Sequence, residues 1–92
     1  MRESKSMAEI FLSNYPIADC VLNDYTCSQA IGWLKGVKSL APSWASEADQ
    51  ILNCLYDILY YSIGSKMKTA EEQMNELTDV LEKLIPKEQK ND

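Results

Sequence analysis

The sequence predicts an all-α protein, a compact bundle of about four helices joined by short loops, and three observations carry that prediction. Apolar residues recur at i, i+3, i+4 and i+7 in successive segments, the period of a helix with one buried face. Capping-box sequences stand ahead of these segments. Helix-breaking residues punctuate the chain at Pro16, Pro42, Gly64 and Pro86.

The first segment opens at Ser6-Met7-Ala8-Glu9, where Ser6 and Glu9 can satisfy each other's orphan amides. Met7, Ile10 and Phe11 then share a face. Pro16 breaks the run, or opens a new short turn as a first-position proline. Ile17, Cys20 and Val21 continue at helical spacing to about Asn23.

Thr26-Cys27-Ser28-Gln29 reads as a second capping box, and the next helix is expected to start there. Its stripe is Ala30, Trp33, Leu34, Val37 and Ala41, about four turns long, with Trp33 in the core. Pro42 ends it, because the residue before a proline avoids helical geometry. Gly32 and Gly36 lie on this helix at small-xxx-small spacing. Either they allow close packing against a neighbour, or they lower helix propensity by about 1 kcal/mol each.

Ser43 or Ser46 is expected to cap the third helix, whose inner stripe is Ala48, Ile51, Leu52, Leu55 and Leu59. From Ile51 to Ile63 only Asp57 is charged, which reads as a central, buried helix closed by Gly64. Asp57 lines an exposed strip or pairs with Lys66 or Lys68. Thr69-Ala70-Glu71-Glu72 is a third capping box, with two acids suited to the helix dipole. Met67, Ala70, Met74, Leu77, Leu81 and Leu84 follow at heptad spacing. The plainer reading is one helix packing in the bundle. The sharper one is a self-association seam through Met67, Met74, Leu77, Leu81 and Leu84, giving a homodimer. Pro86 stops the helix.

A chain of 92 residues suggests a single helical domain over 1–92, with 1–5 and 87–92 as frayed tails. At this size folding buries roughly 60–65% of the unfolded surface, so stability is modest. The net charge of −5 repels phosphate, and nucleic acid is not an expected partner. Arg2 and Lys5 precede too short an apolar stretch for a signal peptide, and Glu9 interrupts it. No run reaches the ~18 apolar residues of a membrane span, and no lipidation box is seen. A cytoplasmic location is expected, with no transmembrane segment; peripheral membrane contact stays open.

The chemistry available is sparse. There is no histidine, which removes the commonest general base and metal ligand together. Cys20, Cys27 and Cys54 are odd in number and read as small core residues, not a disulfide framework. Their spacing fits neither a C-x-x-C redox pair nor a zinc site. The acids at Glu47-Asp49 and at Glu71, Glu72 and Glu76 read as solvated faces. No catalytic, cofactor-binding or metal-binding residues are assigned, no cofactor is implied, and the chain is not expected to be an enzyme.

Charge depletion points to binding. From Ile10 to Leu34 the charged residues are Asp19 and Asp24, and from Ser39 to Ser65 they are Glu47, Asp49 and Asp57. Tyr15, Tyr25, Trp33, Trp44, Tyr56, Tyr60 and Tyr61 all fall in these stretches. Aromatic enrichment with few charges is the composition of an interface core; tyrosines at a core boundary, with wet hydroxyls, are the rival account. Trp44, Tyr56, Tyr60 and Tyr61 are the expected partner-binding residues, on the outward face of the third helix. The expected function is a protein-protein interaction module of adaptor, chaperone or inhibitor type, holding a heterologous protein. A mildly acidic rim would favour basic partners. A homo-oligomeric structural or regulatory protein is the second expectation.

Two resemblances bear on this. Ala30-Ile31-Gly32-Trp33 through Leu40-Ala41-Pro42 resembles the second half of a tetratricopeptide repeat, and Tyr61-Ser62-Ile63-Gly64 with Ala70 resembles the middle of another. The repeat period is not kept. Small secretion chaperones are similar in size and hold an export partner with such helices, which implies a chaperone role. The stretch Leu52-Asn53-Cys54-Leu55-Tyr56 through Lys66-Met67-Lys68-Thr69-Ala70-Glu71-Glu72 resembles the third and fourth helices of bacteriocin immunity proteins. That implies a protective, membrane-peripheral protein, although such proteins are often basic and this chain is acidic.

Overall fold

A computed structural model describes residues 6–61 and 68–85, with Tyr61 described by its backbone alone. Among these residues the fold is all-α. It comprises α1 (Met7–Asn14), α2 (Ile17–Leu22), α3 (Asp24–Leu40), a 3-10 turn (Pro42–Trp44), α4 (Ala45–Tyr61) and α5 (Ala70–Leu84). The expected tails at 1–5 and 87–92, the cap at Gly64 and the seam residue Met67 lie outside the described residues.

The breaks follow from proline. Tyr15, Ala41 and Ile85 each precede a proline, and each leaves helical geometry, at φ −135°, −134° and −88° with positive ψ. The clash between a proline ring and the preceding residue's backbone disfavours the helical well there. Pro16 thus divides the first segment into α1 and α2, giving five helices.

Two capping boxes form as the sequence implies. Ser6 Oγ accepts the Glu9 amide while Glu9 Oε1 accepts the Ser6 amide. Thr69 and Glu72 repeat the exchange at the start of α5. The third does not form. Helix α3 begins at Asp24, and Asn23 caps it, its Oδ1 accepting the amides of Tyr25 and Thr26. Thr26 lies inside the helix. Asparagine bonds two amides from one oxygen, and Asp24 adds an acid to the first turn, so this start outcompetes the later one. Neither Ser43 nor Ser46 caps α4. The 3-10 turn runs straight into α4 with Ala45 already helical, which places Ser43 in the turn and Ser46 in the first helical turn.

Helix α4 is the hub. It packs against α3 most extensively, then α5, and also meets α1, α2 and the 3-10 turn. Ala48, Ile51, Leu52 and Leu55 are buried as expected, joined by Cys54 and Ile58, and Leu59 is half-buried. The helix is not buried all round: Asn53, Asp57 and Tyr60, spaced i, i+4, i+7, form an exposed strip. Facing α4, helix α3 buries Cys27, Ala30, Ile31 and Leu34. Trp33, expected in the core, is half-buried, tilted against Phe11 and Tyr15 at centroid distances of 6.0 and 6.1 Å. That ring cluster seats α1. At Gly32 and Gly36 an added Cβ would meet nothing within 4 Å, so neither glycine serves close packing within the chain.

Candidate interaction surface

Tyr60 follows Tyr56 by one helical turn, and the two rings stack at 6.1 Å with an interplanar angle of 13°. Tyr56 is half-buried, and Lys35 of α3 reaches over its ring, Nζ lying 5.9 Å from the centroid. This contact joins the outer flanks of α3 and α4. On α3 the flank is Ser28, Gly32, Lys35 and Ser39, at i, i+4, i+7 and i+11, all exposed. On α4 it is Asn53, Asp57 and Tyr60. The result is a tyrosine ridge beside a strip of small side chains interrupted by Lys35.

Of the expected partner-binding residues, Tyr60 is exposed and Tyr56 half-exposed at this ridge. Trp44 ends the 3-10 turn, half-buried against the core, at the opposite end of α4 from Tyr60. The Tyr61 side chain lies outside the described residues. The heptad seam is occupied within the chain. Leu77 and Leu81 are 0% and 1% exposed, while Met74 and Leu84 are half-buried. Helix α5 lies on α4 and α2.

Among the described residues four large apolar side chains are exposed: Leu22 (67%), Tyr25 (70%), Leu40 (87%) and Tyr60 (60%). Sequence reasoning singled out only Tyr60 as a site residue. Leu22 and Leu40 were legible in principle, because each falls off its helix's apolar stripe. Tyr25 was obscured by the misplaced helix start. Its hydroxyl accepts a hydrogen bond from Gln29 Nε2 at 3.1 Å, which lays the ring along α3.

The electrostatics are acidic. The described residues carry eleven carboxylate side chains against four lysines. Lys38 pairs with Asp49 at 2.5 Å and Lys68 with Glu76 at 2.6 Å. Asp57 is exposed and forms no ion pair with another described residue, Lys68 included; Lys66 lies outside the described residues. One oxygen of Glu47, expected on a solvated face, is buried with no hydrogen-bond partner.

The three thiols are free and buried, one each on α2, α3 and α4. Burial is the main cause that pushes Cys20 up to about 12 and Cys27 and Cys54 up to about 11. Cys27 Sγ donates to the Leu55 carbonyl at 3.6 Å. Protonated thiols are poor nucleophiles and poor metal ligands. No group of His, Cys, Asp or Glu among the described residues has the geometry to hold a metal ion, and no described helix is long and apolar enough to cross a membrane. Comparison with protein-family models, with curated proteins and with solved structures finds no match for this chain.

Proposed function

We propose that the chain is a non-catalytic protein-interaction module that holds a heterologous protein on the outer face of α3 and α4. The observation that carries this reading is the Tyr56–Tyr60 stack, with Tyr60 60% exposed. A stacked pair on a helix is ordered before binding, so little side-chain entropy is lost when a partner covers it. Tyrosine is also a favoured anchor at interface centres. Beside the ridge, the α3 flank offers no bulk at Gly32 to keep a partner's backbone away. A helix or extended segment fits such a surface, its apolar side chains meeting the two rings. The role that follows is sequestration, assembly or blocking of the partner.

The test uses the whole chain. A partner identified by crosslinking in source cells is purified and titrated against the chain and against Tyr60→Ala and Tyr56→Ala. Loss of affinity by tenfold or more, with helical circular dichroism retained, supports the reading. Unchanged affinity in both variants overturns it. Light scattering across a wide concentration range adds a second check. A dimer that the same substitutions dissolve would make the occupant a second copy of this chain.

A further inference from the structure

Resting on the interaction reading above, we infer that the partner is a basic, amphipathic segment, recognised at the end of the bundle where α2 ends, α3 begins and α4 ends. Two contacts fix the α3–α4 register. Lys38 bridges to Asp49 at 2.5 Å near the connecting turn, and Cys27 Sγ reaches the Leu55 carbonyl at 3.6 Å further along. The helices are therefore antiparallel, and the start of α3 lies beside the last turns of α4. Asn23 joins α2 directly to α3, which brings Leu22 to the same end.

Three of the four large apolar side chains exposed among the described residues belong to these helix ends: Leu22, Tyr25 and Tyr60. So do three exposed carboxylates, Asp19, Asp24 and Asp57, none of them in an ion pair with another described residue. Asp19 and Asp24 stand in first turns, where they also offset helix dipoles, a role that leaves their outward oxygens open to a partner. Of the lysines of α3, Lys38 is held by Asp49 and Lys35 lies over Tyr56. Exposed apolar side chains with carboxylates on the same helices select apolar side chains flanked by Lys or Arg and repel acidic competitors. The Lys35–Tyr56 contact is the chain's own example of a cation resting on a tyrosine of this surface, and Tyr25 and Tyr60 offer the same face to a partner's cation.

The probes are a helical Leu/Lys amphipathic peptide and its Leu/Glu counterpart with the same leucine stripe, titrated by fluorescence anisotropy. The whole chain should bind the Leu/Lys peptide at least about tenfold more tightly, with affinity falling as salt rises. Asp19→Asn, Asp24→Asn and Asp57→Asn combined should weaken it about tenfold. A control that removes as many charges from α5, Glu71→Gln, Asp79→Asn and Glu82→Gln, should change it less than about twofold. Equal losses in the two triple variants would reduce the effect to net charge and overturn the inference. Equal binding of both peptides, or of neither, also overturns it. Should Tyr56→Ala and Tyr60→Ala weaken binding of the natural partner while the aspartate variant does not, the interaction reading stands and the basic-segment inference falls.

Discussion

The Nζ of Lys35 lies 5.9 Å from the centre of the Tyr56 ring, a cation resting on the half-buried member of a tyrosine stack. Helices α3 and α4 form the most extensive helix pair of the fold, and this contact closes their outer side. A cation–π pair at such an exposed site is worth about 0.5–1 kcal/mol. Lys35→Met keeps the apolar stem and removes the charge. It should cost about 0.5 kcal/mol in urea unfolding, and the loss should shrink when Tyr56 is already Leu. Strict additivity in that double-mutant cycle would show that the ring contact contributes nothing.

The start of α3 yields a second expectation. Asn23 accepts two backbone amides there, whereas Thr26 sits inside the helix. Removing an N-cap typically costs about 1 kcal/mol. Asn23→Ala should therefore lower stability by about that much, and Thr26→Ala should stay within about 0.5 kcal/mol. Urea midpoints of the two variants decide it; a larger loss at Thr26 would move the helix start downstream.

That helix start marks the limit of what the sequence disclosed. Where a break is local chemistry, it was legible: a proline constrains the residue before it, and Ser6–Glu9 and Thr69–Glu72 carry both halves of a reciprocal cap. Thr26–Gln29 carries the same halves, yet Asn23 prevails because the turn after α2 presents its side chain to two free amides. Position relative to a neighbouring turn is not encoded in a four-residue motif. The inner stripe of α4 was legible from periodicity for the same local reason. Which tyrosines end up wet was not, because exposure depends on the neighbour. Tyr56 is half covered by a lysine from α3, and Tyr25 is laid along its own helix by Gln29. Of the side chains in the proposed surface, Tyr56 and Tyr60 are placed on an outward helix face by the sequence, while the exposure of Leu22 and Tyr25 is visible only in the fold.

Gly32 and Gly36 face open space, and no described residue has a positive φ. An alanine side chain at either site costs nothing sterically within the chain, and it removes conformational freedom from the unfolded state. Gly32→Ala and Gly36→Ala should each stabilise the protein by up to about 1 kcal/mol. Thermal and urea unfolding measure this directly. A destabilised variant would mean that a second copy packs on α3 in solution, and the loss would then depend on protein concentration.

The buried thiols set the behaviour at high pH. Burial holds Cys20 up at about 12 and Cys27 and Cys54 at about 11, against an ordinary value of 9.0. A raised pKa in the folded state means that the unfolded chain gives up protons the fold retains. The stability contributed by the protonated thiols is complete below about pH 9 and is lost as pH rises from there toward 11–12. The urea midpoint should hold steady from about pH 7.5 to 8.5 and drop by about pH 10.5, and Cys20→Ala should flatten part of that drop. The difference between the two chains, not the drop itself, is the measurement. Thiol labelling at neutral pH gives the companion test. A thiol reagent should reach the three cysteines only as fast as the fold opens, and all three should react at once in urea. Rapid labelling of Cys20 in the native chain would show that the contact between α2 and α3 opens independently of the α3–α4 core.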